Sequence, residues 1–347
     1  MRRHLATLIA AAAAALLCPA VLQAGDEPAW DIDTRLEARG DYRLDQVDGQ
    51  RDRGASGLKC TIADLYVRGT LARRLSYKYR QRFNGLDRSK WIDQTDWLYL
   101  ACRLSPNWEV MAGKWAVLVG CWEFDPAPID IMQVSEFAYQ FPCYQWGGYV
   151  QWNSTSKADQ VYLQVVRSPF AHAYHHATGN DKAMWGGCLM WYGHHGPVHT
   201  SWSANLYEYR PGHYINYVCL GTTVDITPQA SINLDVANRS TGHHRYLMKD
   251  YSVMGRVDYQ PSPYLKAWGK VTYDNNHSGR EGDMAVATGT DLTSVGAGVE
   301  VFPLKNESVR LHVNYRYSWG RNGAPSPVMR DKEHMLDVGV SWKLELF

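Results

Sequence analysis

The sequence predicts an all-β protein: a transmembrane, antiparallel, up-and-down β-barrel of about sixteen strands with an inward-folded third outer loop. Three observations support this prediction. Apolar and polar residues alternate with a period of two along many segments. These segments number about sixteen, and the connections between them are alternately long and short, as in barrels of outer membranes. No apolar run of about 20 residues occurs beyond the N-terminus, which excludes a bundle of transmembrane helices.

The alternation is strictest in the first segment. The even positions from Trp30 to Leu44 carry no charge, whereas the odd positions from Asp31 to Arg43 are all charged. One face in lipid and one face in a water-filled lumen explain this better than a soluble sandwich, whose wet face needs only neutral polar residues. Many such runs end in Tyr or Trp, which suits strand ends at the two membrane interfaces.

The whole chain divides into strands and connections on the same basis. Long outer connections are predicted at 120–144, 168–183, 275–291 and 320–333, with 210–212 as a short exception. The other connections are short turns rich in Pro, Gly, Asn or Ser. The predicted strands cover residues 29–44, 57–73, 75–84, 94–104, 107–119, 145–154, 158–167, 184–193, 198–209, 213–225, 229–239, 250–260, 263–274, 292–302, 308–319 and 334–347.

Residues 1–24 have the layout of a cleaved signal peptide, with two arginines before an apolar run and small residues at its end. The segment has two alternative cleavage sites, after Ala20 or after Ala24. A lipoprotein anchor at Cys18 is disfavoured because a leucine precedes it, where the lipid-transfer signal requires a small residue. We therefore expect an exported protein with one barrel domain over residues 25–347.

Charge and cysteine content exclude two further classes of protein. Residues 25–347 contain 34 basic and 35 acidic residues, and this balance gives no support for nucleic-acid binding. Their six cysteines form no CxxC pair and no zinc-like spacing, so we predict no metal site. Export permits disulfides, but spacing alone leaves pairing open, and buried apolar thiols are the favoured interpretation.

The third outer loop, residues 120–144, is predicted to enter the lumen, because its first half is too apolar and proline-rich for a solvated tip. Such a loop narrows the wide lumen of a sixteen-stranded barrel to a constriction. Four carboxylates would then face a basic wall. The predicted constriction acids are Glu123, Asp125, Asp130 and Glu136, and the predicted pore-lining bases are Arg35, Arg39, Lys78, Arg80 and Arg82.

Acids facing bases across a pore create a transverse field that orients dipolar solutes and biases ion selection. The alternative is that these carboxylates cap turns and pair with arginines to hold the loop. Lys78, Arg80 and Arg82 would place three cations about 7 Å apart on one strand face, which suits anion binding. Acids on the adjoining faces, such as Asp31 and Glu37, would weaken that attraction. The sequence therefore leaves anion preference open.

Histidines cluster at residues 172–176, 194–195 and 243–244. The strand map places the first and third groups in outer loops and the second in a periplasmic turn, so they cannot share one metal ion, and solvated histidines are expected. The sequence contains no nucleophile elbow, phosphate-binding loop or dinucleotide fingerprint. We therefore predict neither a cofactor nor an enzymatic activity.

Four segments, in their order and spacing, resemble the phosphate-selective porin O and P family of Gram-negative outer-membrane porins. They are DQTDWLYL at 93–100, GCWEFDPAPIDI at 120–131 followed by Ser135-Glu136-Phe137, KDYSVMG at 249–255, and the stretch 296–320. The similarity covers nearly the whole chain after the signal peptide. It implies a sixteen-stranded, usually trimeric barrel that passes small solutes by diffusion, with its third loop inside the lumen.

Two departures from the family limit what the resemblance implies. Phosphate-selective members have a dense arginine ladder and a lysine cluster at the constriction, whereas the loop here is acidic and the lumen strands are mixed. The terminal Phe347 is the residue type that barrel insertion machinery recognises, but the apolar phase of the last strand lies on Trp342, Leu344 and Leu346. The resemblance therefore does not extend to phosphate selectivity, and the insertion signal is partial.

The expected function is that of an outer-membrane porin, a passive diffusion channel for small hydrophilic solutes and ions. Its expected partners are outer-membrane lipid, solutes or anions in the lumen, the barrel insertion machinery and two further copies in a homotrimer. The alternative is a barrel that binds or adheres through its external loops, or an enzyme with a site at the rim. A soluble sandwich is the least favoured interpretation because one face of its first strand would be fully charged.

Overall fold

The computed structural model describes residues 31–84, 91–92, 94–241, 249–279, 283 and 285–346. In these ranges the strands form one antiparallel sheet, which closes on itself where β1 pairs with β17. Sixteen strands build the barrel wall, and β2 is a two-residue extension in the first outer connection. The strands are β1 (Asp33–Val47), β2 (Gln50–Arg51), β3 (Gly57–Ala72), β4 (Leu75–Arg82), β5 (Thr95–Arg103), β6 (Trp108–Ala116), β7 (Tyr144–Asn153), β8 (Asp159–Arg167), β9 (Trp185–His195), β10 (Val198–Arg210), β11 (His213–Thr227), β12 (Ala230–Ser240), β13 (Asp250–Ser262), β14 (Leu265–Asn276), β15 (Asp291–Val301), β16 (Val309–Arg321) and β17 (Glu333–Glu345).

The predicted barrel of sixteen antiparallel strands is confirmed, and the differences lie at strand ends. β1 continues to Val47, beyond its predicted end at residue 44, because its last three residues pair with the start of β17. β6 ends at Ala116, earlier than predicted, because the chain turns into the lumen there and the backbone N–H of Leu118 donates to Gln164 on β8. Strand ends are decided by partners as well as by the local pattern.

The two faces of the wall follow the predicted phase. Along β16, Leu311, Val313 and Tyr315 are exposed on the outside of the barrel, whereas the even residues from Arg310 to Ser318 are buried inside. Val313 is 48% exposed. An apolar outer face and a polar inner face are what a strand between lipid and a wet lumen requires.

Four short helical elements lie in the two longest described connections. Two 3-10 turns, Trp122–Phe124 and Pro128–Asp130, and helix α1 (Glu136–Gln140) belong to the third outer loop, and helix α2 (Ala171–Thr178) belongs to the fourth. Within the described ranges, no helix combines the length and the hydrophobicity that crossing a membrane requires.

An apolar cluster inside the barrel joins the third loop to the wall. The rings of Phe137 on α1 and of Phe141, the residue directly after α1, pack against Tyr207 of β10, Tyr217 of β11 and Phe170. The centroids of Phe141 and Tyr217 are 5.8 Å apart. Burial of several aromatic rings at one place strongly favours the inward position of the loop, and the predicted inward fold is confirmed.

Candidate functional site: the inward loop and the pore wall

The inward loop, defined here as residues 117–143, crosses the barrel interior and is bound by strands β10, β12 and β1. Its local form follows from its sequence. Pro128 occupies the first turn of the second 3-10 element, and Ser135 caps α1 by accepting a hydrogen bond from the backbone of Ala138. The main anchors join Gly120 N to Ser203 Oγ at 2.9 Å, Trp122 N to Asp235 Oδ1 at 2.8 Å, and Arg39 Nη1 to Ile131 O at 3.2 Å.

Glu123, the first predicted loop acid, is buried between the loop and β14. Its carboxylate is bound by Lys270 Nζ and accepts hydrogen bonds from the backbone and hydroxyl of Ser135. The Glu123 and Lys270 side chains are 4% and 3% exposed. The charge of Glu123 is therefore compensated inside the loop's own anchor.

Asp130, at the second 3-10 turn, binds two bases on adjacent strands. Arg310 Nη1 of β16 lies 3.2 Å and Lys343 Nζ of β17 lies 2.8 Å from Asp130 Oδ1. Arg310 also donates to the carbonyl of Ile129. Two cations around one carboxylate hold this part of the loop against β16 and β17, next to the place where the barrel closes.

Glu136 and Asp125 have different surroundings. Glu136 is buried, and its carboxylate accepts hydrogen bonds from the backbone N–H groups of Val328 and Met329 in the last outer loop, at 3.1 and 3.3 Å. Asp125 is exposed in the lumen and lies beside Tyr192 of β9. Of the four predicted acids, three hold the loop and Asp125 faces the solvent.

The predicted bases separate into three groups. Arg39 forms the first group, because it donates a hydrogen bond to the loop. The second group is Arg80 and Arg82, and the third is Arg35 and Lys78. Arg80 is fully buried, with its Nε 3.1 Å from Asp64 and 3.6 Å from Asp96, and Arg82 lies 2.9 Å from Asp96. A β-bulge interrupts the alternation between Arg80 and Gln81, so Lys78, Arg80 and Arg82 do not form a regular ladder. Arg80 and Arg82 are thus paired with carboxylates of neighbouring strands.

Arg35 and Lys78 line a small cavity of about 130 Å³ near the short turns of the barrel. Arg68, Asp33 and Trp97 complete its polar lining. Arg35 pairs with Glu37 at 2.9 Å, and Arg68 pairs with Asp33. Among the described residues, Lys78 has no ion pair, and the indole N–H of Trp97 and the Nε of Arg35 are buried without a hydrogen-bond partner. The cavity therefore presents donors and an uncompensated cation.

Apart from Arg39, the sequence did not single out the bases that hold the loop. Lys270, Arg310 and Lys343 all lie on the inward phase of their strands, so the alternation marked them as lumenal. Which lumenal bases meet the loop depends on how far the loop reaches across the barrel. That reach is fixed by packing and has no signal in the sequence.

The structure also brings together Asp41, His312 and Asp337, whose potential ligand atoms lie within 4.8 Å of one another. Their atoms are already engaged: His312 Nε2 donates to Asp41 Oδ1 at 2.6 Å, and Thr61 donates to the other oxygen of Asp41. Asp337 accepts from Asn314 at 3.0 Å, and Arg39 is 3.3 Å from Asp41. His312 Nδ1 and Asn314 Oδ1 are buried without a hydrogen-bond partner, but the facing atoms of Asp41 and His312 bind each other, and the Arg39 guanidinium beside them disfavours a further cation.

The remaining predicted features are distributed as follows. His172, His175 and His176 lie on α2, and His194 and His195 end β9 at a short turn, in agreement with the strand map. Residues 243–244, the signal peptide at 1–24 and Phe347 lie outside the described residues. Of the six cysteines, Cys60 is exposed, Cys143 is half-buried and the other four are buried.

Comparison with known proteins supports the family and the fold. Residues 32–190 match the model of the family described as phosphate-selective porin O and P, which confirms the resemblance seen in the sequence. None of the curated proteins compared with the chain matches it.

Three solved structures illustrate the shared fold. In-vitro folded OmpT, an outer membrane protein of Vibrio cholerae, has a TM-score of 0.59 and 11% identity, over 92% of this chain and 100% of its own. Its trimer form has a TM-score of 0.58 and 10% identity, over 90% and 99%. A mutant of the Rh. blastica porin has a TM-score of 0.54 and 13% identity, over 90% and 100%. The family match and the closed barrel together support an outer-membrane channel.

Proposed function

We propose that the protein is a passive diffusion channel for small hydrophilic solutes and ions in the outer membrane of a Gram-negative bacterium, with a moderate preference for anions. The observation that carries the preference is the cavity lined by Arg35, Arg68 and Lys78. Arg35 pairs with Glu37 and lies 3.9 Å from the more exposed Glu345, and Arg68 pairs with Asp33, so Lys78 is the base of this cavity that has no ion pair among the described residues. The unpartnered N–H of Trp97 adds a donor for an anion's oxygen.

Of the loop acids, Asp125 faces the solvent and counts against this preference, whereas Glu123 and Asp130 oppose it little. The charges of Glu123 and Asp130 are compensated by Lys270, and by Arg310 and Lys343. A paired carboxylate produces a much weaker field in the lumen than a free one. The loop acids therefore serve mainly to hold the constriction, while the bases near the short turns set the bias. Short turns face the periplasm in barrels of this kind.

The proposal includes a homotrimer and removal of residues 1–24 during export. One relative of the same fold is described as a trimer form. The proposal contains no catalytic step, since diffusion through a wet lumen requires none. Binding or adhesion through the outer loops remains the alternative function, and it requires no conduction.

Planar-bilayer recording of the purified protein under a KCl gradient tests the proposal. We expect discrete current steps and a reversal potential whose sign indicates anion selectivity. In the variant Lys78→Gln, the reversal potential should shift in the direction of cation selectivity. Lys182→Gln, which removes a lysine from an exposed outer loop, is the matched control. A folded barrel that carries no current would favour the adhesion alternative. A cation-selective current that Lys78→Gln leaves unchanged would contradict the anion preference but not the channel.

A further inference from the structure

We propose that Cys121 on the inward loop and Cys219 on β11 form a disulfide that ties the loop covalently to the pore wall. This tether goes beyond the proposed function and does not depend on the solute. It does require that the protein reach an oxidising compartment, which an outer-membrane location provides.

Cys219 lies on the inner face of the wall beneath the loop. In the sheet it pairs with Ser203 on β10 on one side and with Ala237 on β12 on the other. Its side chain is completely buried, and that of Cys121 is 2% exposed. Both belong to the apolar cluster that fastens the loop to the wall.

Two hydrogen bonds place Cys121 over this part of β11. The residue before it, Gly120, is bound by Ser203, the partner of Cys219. The residue after it, Trp122, is bound by Asp235, which is the partner of Gly221. Cys121 is thus held at the level between Cys219 and Gly221.

Gly221 of β11 shows how closely the inward loop approaches this strand. A Cβ atom on this glycine would lie 3.0 Å from the Cα of Cys121. Cys219 is two residues away on the same inward face, about 7 Å along the strand. Both residues carry free thiols in this structure, and both thiols are buried in the same apolar cluster. A disulfide typically joins residues whose Cα atoms are about 4.4–6.8 Å apart, and it therefore requires two cysteines that lie over the same stretch of wall, as these two do.

The other cysteines are less suitable partners. Cys188 on β9 lies nearby, but its thiol donates to the carbonyl of Leu118 at 3.2 Å. Cys143 donates to the carbonyl of Phe141 at 3.3 Å. Cys60 is exposed on β3. Cys102 lies on β5. Shared burial in the cluster over β11 therefore distinguishes Cys121 and Cys219 from the rest.

The chemistry is thiol–disulfide exchange with a disulfide-bearing oxidant, either a protein or a small molecule. A thiolate of the pair attacks the oxidant to form a mixed disulfide, and the second thiolate displaces the oxidant's other sulfur. The pair loses two protons and two electrons, and the oxidant is reduced to a dithiol. The neighbouring Cys219 and burial raise the pKa of the Cys121 thiol well above its usual range. The folded barrel therefore protects the pair, and exchange takes place before the loop packs.

The test uses protein exported to the outer membrane, quenched in acid, denatured and alkylated with or without prior reduction. Of the six cysteines, we expect four to be alkylated without reductant and all six after reduction. Peptide mapping should show a Cys121–Cys219 link. Alkylation of all six without reductant, or a link between any other two cysteines, would overturn the proposal.

Single substitutions provide a second measurement. Cys121→Ser should expose Cys219 to alkylation without reductant, whereas the control Cys188→Ser should leave the link intact. Alkylation and peptide mapping of the unsubstituted protein test the disulfide even if a variant fails to assemble. It also requires no current, so failure of the tether and failure of the proposed channel are distinguishable.

Discussion

Lys270 of β14 binds two groups of the inward loop at once: its ammonium pairs with the Glu123 carboxylate and donates to the Gln133 carbonyl at 2.7 Å. The two binding sites lie on either side of the second 3-10 turn, so one wall residue fixes both limbs of the loop. Because the pair is almost completely buried, neither charge has water as an alternative partner.

Lys270→Met should therefore release the loop. Removing one partner of a buried ion pair costs about 3–5 kcal/mol, because the other charge stays buried without compensation. We expect a lower free energy of unfolding and a larger, noisier single-channel current. Glu123→Gln combined with Lys270→Met should recover part of the stability. Lys182→Met, at an exposed loop position, serves as control, and equal currents in both lysine variants would contradict this role of Lys270.

Gly221 should be required for close docking of the loop. A methyl group there would lie 2.5 Å from Ser201 Oγ and 3.0 Å from the Cα of Cys121, so Gly221→Ala should push the loop away from β11. Gly269→Ala is the matched control, because a Cβ at that glycine meets nothing within 4 Å. Single-channel conductance should change for the first variant alone, and an unchanged value would show that the loop accommodates the methyl group.

Arg80 and Lys78 lie on the same strand but should have different roles. Arg80→Gln leaves the buried Asp64 without its cation, while Asp96 keeps Arg82, so we expect a loss of about 3–5 kcal/mol in unfolding free energy. Lys78→Gln removes no ion pair within the described residues, so it should change the reversal potential with little effect on stability. Denaturant unfolding and bilayer recording of the two variants check this division, and equal stability losses would refute it.

Asp52 in the first outer loop should titrate below its ordinary pKa of 3.8. Its hydrogen bond with Arg330, at 2.6 Å, lowers the pKa, and backbone donors from Ala55 and Gly54 act in the same direction. A lowered pKa means that the contact contributes stability above pH 3.8, and that this contribution is lost as the pH falls through the folded-state value. Amide chemical shifts of Gly54 and Ala55 in an NMR titration report it. Arg330→Gln should raise the pKa toward 3.8, and an unmoved titration would remove Arg330 as its cause.

Val313 faces the lipid, so a charge there should be costly. Val313→Arg is expected to reduce barrel stability by about 2–4 kcal/mol, as for basic residues near the middle of a bilayer. Val313→Leu keeps the site apolar and should have little effect. Heat-dependent mobility of the folded barrel in detergent gels, together with urea unfolding in lipid vesicles, distinguishes them. Equal stability of both variants would mean that Val313 does not contact the hydrocarbon.

The strand map was predictable because alternation is a local property of a strand. Along β16, Val313 lies on the outer face and Asn314 on the inner face, as strict alternation of neighbouring residues requires. Composition and proline content similarly predicted that the loop beginning at Gly120 would enter the lumen. The exceptions arise where a partner intervenes, as at the bulge between Arg80 and Gln81.

The partners of the charged residues were decided by the tertiary structure. Glu123 and Lys270 are 147 residues apart in the chain, and Asp130 and Arg310 are 180 apart. Each pair exists because the sheet closes between β1 and β17 and because the loop reaches the far wall. An alternating pattern specifies which side of the wall a residue faces. Only closure, register and loop packing determine which charges meet, and hence which remain free to act on a solute.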